Sequence, residues 1–198
     1  MTGTTKPDAS ELAGYEVLVA VCGGIAAYKV ATLVSSLVQG GAGVSVAMTK
    51  AARKFITPLT FEALTARPVF TNVWQTADVQ QHLSLTEMAD LFIIAPATAN
   101  TLGKMANGIA DDLVSNLALS AASPILIAPA MNTRMWDHPA VQANLRLLVE
   151  RGAMTVGPNE GWLACRAVGK GRMAEPDEIL REAVGMLKQA APKRAASR

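Results

Sequence analysis

Read for the pattern of apolar and polar positions, the chain is a series of short, continuously apolar runs separated by segments of helix length. The runs are EVLVAVC (16–22), VSVAMT (44–49), LFIIAP (91–96) and PILIAP (124–129), with MTVGP (154–158) a weaker fifth. None alternates with period two, as expected of strands covered on both faces. Between them, residues 25–39, 98–107, 112–121 and 139–151 carry helical patterning, and 176–189 predicts a final helix with Pro176 in its first turn. Strands and helices that alternate in this way specify an open, mostly parallel α/β sheet, doubly wound. Such a sheet binds its ligand beyond the carboxyl ends of its strands, so the chemistry should lie in the segments after each run.

Composition narrows the class. Of 198 residues, 51% are hydrophobic and 17% charged, enough for a sizeable core. The net charge is +2, but four basic residues lie between Lys188 and Arg198; without them the body stands at −2. A near-neutral body argues against a nucleic-acid surface and against electrostatic membrane docking, and the tail reads as a solvated end. Cys22 and Cys165 cannot form a disulfide framework or a structural zinc set. The first residues, MTGTTKPDASELAGY, lack an apolar signal region, and no apolar run reaches the length of a membrane span. A cytoplasmic protein is the expectation.

The post-strand segments hold the candidates. Cys22-Gly23-Gly24-Ile25 makes a strand-to-helix turn in which two glycines let backbone N–H groups approach an anion at a helix N-terminus. It matches neither the dinucleotide nor the P-loop pattern, and a tight turn without a ligand explains the glycines about as well. Cys22 reads as a small buried hydrophobe. Thr49 opens a helical segment through Phe55, as a cap or a phosphate contact. His82 precedes the short helical segment LSLTEMAD and is either a surface histidine or a base aimed into a cleft; His138 reads as a turn residue. Thr98, Asn100 and Thr101 bring several hydrogen-bonding groups into four residues, suited to a flat polar ring. Asn132 offers an amide to a carboxylate and Met135 a surface to a ring, with an ordinary loop the competing account. Asn159 to Met173 is Gly-rich and of loop length, the pattern of a lid, and carries Cys165 beside cations that would lower a thiol pKa.

Taken in order, GGIAAYK (23–29), HLSLTEMAD (82–90), PATANTLGK (96–104), PAMNTRMW (129–136) and LACRAVGKGRM (163–173) resemble the homo-oligomeric flavin-containing cysteine decarboxylase family. Within it the likeness is to the phosphopantothenoylcysteine decarboxylases of coenzyme A biosynthesis, from about Tyr15 to Leu187. The resemblance implies a Rossmann-like flavoprotein in which residues 15–190 form an FMN-binding decarboxylase domain. Residues 1–14 would be a flexible N-terminal segment and 191–198 a basic flexible tail. It implies homotrimers with FMN between subunits. Gly23, Gly24 and Thr49 fall where relatives hold the FMN phosphate, and Thr98, Ala99, Asn100 and Thr101 where they contact the flavin and its ribityl chain. Ile25 and Phe55 count among the cofactor contacts on the same basis. His82 matches the active-site base, and Asn132 the residue on the substrate carboxylate, with Met135 and Ala164 beside the substrate. Cys165 matches the proton donor of the final reduction.

Two positions depart from the family pattern: Gly24 stands where Ser is usual, and Arg166 where Gly is common. Many bacterial relatives are fused to a phosphopantothenate–cysteine ligase; here that partner is expected on another polypeptide unless the chain is a truncated fusion. Three alternatives remain open. A peptidyl-cysteine oxidative decarboxylase would not need Cys165. A flavin prenyltransferase fits poorly with His82 and PAMN. A noncatalytic FMN-binding phosphatase regulator would carry an acidic extension.

Overall fold

The computed structural model describes residues 10–72, 81–164 and 166–193, with backbone alone for 81–84. Five parallel strands form one sheet: β1 (Glu16–Val21), β2 (Gly43–Met48), β3 (Leu91–Ala97), β4 (Ile125–Pro129) and β5 (Met154–Thr155). Their spatial order is β2-β1-β3-β4-β5. The expected runs become these strands nearly residue for residue, because apolar side chains on both faces have a core to enter. Val17, Val19, Val21, Leu91, Ile93 and Ala95 pack on one side, whereas Leu18, Ala20, Phe92, Ile94 and Ile127 pack on the other.

Helices cover both faces. α1 (Ala27–Gln39) and α8 (Pro176–Leu187) bury Val30, Leu33, Leu37, Ile179 and Ala183 against the first. α4 (Ala99–Asn107), α5 (Leu113–Ser120) and α7 (Pro139–Glu150) bury Leu102, Leu117 and Leu148 against the second. α2 (Pro58–Thr65) and α6 (Thr133–Trp136) form in segments where the apolar pattern predicts no helix, each too short for a period to show. α3 (Gln81–Met88) takes in His82, which the sequence places just ahead of it. Thr49 does cap the turn after β2, accepting from the Ala52 N–H at 3.1 Å, but the element is a single 3-10 turn over 52–54.

Three expectations need correction. Asn159 to Met173 is not a loop: β6 (Asn159–Trp162) and β7 (Val168–Arg172) pair as an antiparallel hairpin closed over 163–167. Its glycines face packed atoms rather than solvent. A Cβ on Gly171 (φ +127) would strike the Met131 carbonyl, and one on Gly169 would strike the Thr133 hydroxyl. The hairpin is therefore latched to the segment after β4, with Met131 N donating to Gly171 O at 2.9 Å and Thr133 Oγ1 to Lys170 O at 2.8 Å. Second, the core begins ahead of Tyr15, since Leu12 is fully buried and its N–H donates to Gly40 O. Third, the start of the basic tail is docked: Lys193 N donates to Asp90 Oδ1 and its Nζ to the Ala89 carbonyl. Among the described residues no helix is long and apolar enough to cross a membrane.

Candidate active site

In the order 2-1-3-4-5, the connection from β1 leaves on one side and the next neighbour, β3, lies on the other. The loops after β1 and β3 diverge there and open a crevice. A cleft of about 1070 Å³ occupies that place, walled by the loops after β1, β2, β3 and β4 and closed on one side by the hairpin. That volume suits a cofactor together with a small substrate rather than either alone.

The expected residues converge on it. Gly23, Gly24, Ile25, Thr49, Thr98, Ala99, Asn100, Thr101, Asn132, Met135 and Ala164 all line the cleft. Phe55 does not; it stands about half exposed at the end of the 3-10 turn, with its ring outside the cleft walls. The His82 side chain and Cys165 lie outside the described residues. His138 is a helix cap, its Nδ1 accepting from Ala140 N at 3.2 Å, and takes no part in the cleft.

The two glycines after β1 play different parts. A Cβ on Gly23 would collide with Ala51, so that glycine lets the loops after β1 and β2 touch. Gly24 is roomier: a Cβ there would meet Pro96 at 3.8 Å and Thr98 at 3.9 Å, ordinary contact. The N–H groups of Ile25 and Ala26, ahead of α1, find no carbonyl among the described residues. α4 begins in the same cleft, so two helix N-termini present open N–H groups and positive dipole ends to one space. With the Thr49 hydroxyl proton still free to donate, this donor set fits a phosphate.

After β3, the hydroxyls are more committed than the sequence suggests. Thr98 Oγ1 caps α4 by accepting from Thr101 N at 3.3 Å, and Thr101 Oγ1 donates to Cys22 Sγ at 3.2 Å. Cys22 is wholly buried, which pushes its thiol up to about 11 against the pull of that hydrogen bond; it is an inert core residue. Asn100 lines the cleft, and its amide makes no hydrogen bond among the described residues. After β4, Asn132 Oδ1 accepts from Met135 N at 2.9 Å to cap α6. That bond fixes which way the amide faces and leaves Nδ2 as a donor at the cleft wall, suited to a carboxylate.

Sequence reasoning passes over several charged residues of the walls. Asp112 caps α5, accepting from Ser115 N at 2.9 Å, and pairs with Lys104 at 2.6 Å. Burial works to raise its carboxyl, but Lys104 and Ser115 hold it below the ordinary aspartate value. Its signature is the Asp-x-x-Ser of a capping box. Lys29 and Arg172 meet at Glu175, the N-cap of α8, and no local pattern marks that meeting because the three come from α1, β7 and α8.

The Flavoprotein family matches residues 5–188. The chain belongs to that family. It is 50% identical over 167 residues to the coenzyme A biosynthesis bifunctional protein CoaBC of Bacillus subtilis, covering 83% of this chain and 41% of that one. The chain thus spans about two-fifths of that bifunctional relative. It is 44% identical to a probable phosphopantothenoylcysteine decarboxylase of Streptococcus mutans, covering 84% of this chain and 96% of the relative. Among solved structures, a PPC decarboxylase mutant complexed with pantothenoylaminoethenethiol superposes with TM-score 0.78 and 32% identity, covering 89% of this chain and 99% of that one. The FMN-dependent cysteine decarboxylase SpaF gives TM-score 0.78 and 34% identity, covering 89% of this chain and 97% of that one. The family is one of flavoproteins, and the donor chemistry of the cleft at the switch point fits a flavin mononucleotide.

Proposed function

We propose that this chain is an FMN-dependent phosphopantothenoylcysteine decarboxylase, converting the cysteinyl amide to 4'-phosphopantetheine in coenzyme A biosynthesis. One observation carries the reading: four loops and a latched hairpin bring GGIAAYK, PATANT, PAMN and the segment beside Cys165 around one cleft. The Streptococcus mutans relative, matched over 96% of its length, supports the substrate.

A carboxylate on a saturated carbon is a poor leaving group because its carbanion cannot delocalise. Oxidation of the neighbouring thiol to a thioaldehyde removes that obstacle, since loss of CO2 then yields a delocalised enethiolate. Bound FMN supplies the two-electron oxidation of the thiol and the later reduction of the enethiol. The chain's own residues hold and move protons. Asn132 Nδ2 donates to the substrate carboxylate, with Met135 and Ala164 against the adjoining atoms. His82 removes a proton during oxidation, and Cys165 donates one during reduction. The N–H groups ahead of α1, with Gly24 and Thr49, hold the FMN phosphate; Asn100 and the start of α4 hold the ring and ribityl chain. The working assembly is a homotrimer in the cytoplasm, served by a phosphopantothenate–cysteine ligase.

Mass spectrometry of phosphopantothenoylcysteine incubated with the yellow protein tests the reading: the mass of CO2 should be lost. Cys165→Ser should still release CO2 but accumulate a product two hydrogens lighter than 4'-phosphopantetheine, because a serine hydroxyl is far less acidic than a thiol. A protein that takes up no FMN, or leaves the substrate intact, refutes it. Wild-type protein that stops at the enethiol is instead a peptidyl-cysteine type of oxidative decarboxylase.

A further inference from the structure

Arg172 ends β7 with its side chain on the cleft wall, and its guanidinium is only partly used. Nη2 is bonded to Glu175, which also takes both hydrogen bonds from Lys29 Nζ at 3.0 Å. Nε is buried without a partner, and Nη1 makes no hydrogen bond among the described residues. Gly161, across the hairpin, leaves the space this side chain needs; a Cβ there would stand 2.9 Å from Nη1. Burial works to raise the Glu175 carboxyl, but Arg172 and Lys29 hold it below the ordinary glutamate value, so it stays charged and keeps the guanidinium in place. With Lys29 and Lys50, Arg172 gives this cleft three cationic liners against one acid, Asp112, already paired with Lys104. A guanidinium on the cleft wall, held by a carboxylate through Nη2 and with Nη1 uncommitted among the described residues, suits a tetrahedral oxyanion.

We propose that Arg172 is a phosphate-binding residue of the cleft, its Nη1 donating to a phosphate ester of a bound ligand while Glu175 sets its orientation. The inference rests on the flavoprotein reading, and two ligands carry that chemistry: FMN and the phosphorylated substrate. Pairs differing only in the phosphate separate them. Affinities of wild type, Arg172→Gln and Glu175→Gln are measured for FMN against riboflavin, and for phosphopantothenoylcysteine against pantothenoylcysteine. Binding is followed by flavin fluorescence and calorimetry rather than by turnover, and melting curves confirm that each variant folds.

Arg172→Gln should weaken one phosphorylated ligand roughly 10- to 100-fold while changing its unphosphorylated partner less than about threefold. The ligand that loses affinity identifies the source of the phosphate. Glu175→Gln keeps the guanidinium and should preserve most of that discrimination. Equal losses for both members of each pair, or the same profile in both variants, mean that Arg172 merely ties the hairpin to α8, and overturn the proposal. Should Arg172→Gln fail to fold, Arg172→Lys reads the same difference, with a smaller loss expected because a point charge replaces the fork. A wild type that binds neither flavin refutes the flavoprotein reading of the cleft, whereas one that binds both members of each pair equally overturns the phosphate proposal alone.

Discussion

At the scale of single residues, adjacent glycines with one sequence signature answer to different forces. Gly23 is required by packing: its missing Cβ is the space Ala51 fills, with the Ala51 carbonyl carbon 2.9 Å from where a Cβ would sit. Gly23→Ala should therefore cost about 1–3 kcal/mol through overpacking, read as a lower midpoint in urea. Gly24 is required by nothing nearby, so Gly24→Ser should leave stability within about 0.5 kcal/mol. Its added hydroxyl should tighten FMN by roughly 2- to 10-fold, the value of one further hydrogen bond to a phosphate. Weaker FMN binding in Gly24→Ser would place the phosphate elsewhere. Arg166 shows the converse: its φ of +63 lies in the left-handed region that favours glycine, the residue common there among relatives. Its N–H donates to Leu163 O at 2.9 Å.

At the scale of elements, the hairpin of β6 and β7 decides how the cleft is closed. Its base is pinned twice, Asn159 donating to Glu178 at 2.6 Å and Arg172 to Glu175, and its second strand is latched to Met131 and Thr133. An open lid would have none of these ties. Gly171→Ala puts a methyl on the Met131 carbonyl at a φ that L-residues rarely adopt, so the strand must lift away. We expect KM for substrate to rise at least tenfold with a much smaller change in the melting midpoint, since the sheet and both cores are untouched. Thr133→Val, which removes one hydrogen bond, should move KM in the same direction by less. A Gly171→Ala variant with wild-type KM would show that the latch does not shape the site.

At the scale of the whole molecule, charge and apolar surface each set a solution property. Asp112 and Glu175 are both held below the ordinary carboxylate values of 3.8 and 4.5. The stability they contribute is complete above those values and is lost as pH falls through the lower folded-state ones. Melting midpoints should be level near neutrality and decline below about pH 4. Asp112→Asn, which still caps α5 but cannot pair with Lys104, should flatten part of that decline; an unchanged acid limb would remove Asp112 from its cause. Ile25, Tyr28 and Trp162 are more than half exposed around the cleft, and Leu59 and Val168 are 70% and 69% exposed. Apolar area of this kind is suited to a subunit interface, and light scattering should report a trimer or a multiple of three. A monomer that remains active at nanomolar concentration would refute that assembly.

The sequence by itself determined the features that local periodicity encodes. Residues 16–22, 44–49, 91–96 and 124–129 are legible as buried strands because both faces are apolar. The parallel sheet comes from their spacing, and the site's place from the rule that ligands sit beyond strand ends. Thr49, Asn100 and Asn132 are legible for the same reason, each standing shortly after a strand. The tertiary structure alone decided the rest. That Gly23 answers to Ala51, that Gly169 and Gly171 make room for Thr133 and Met131, and that Lys29 reaches across to Glu175 are contacts between residues far apart in the chain, up to 146 positions for the last. The hairpin's alternation is hidden by its glycines, which carry no side chain to show a period. Contacts of that kind leave no periodic trace in a chain, because they are fixed by which surfaces the sheet brings together.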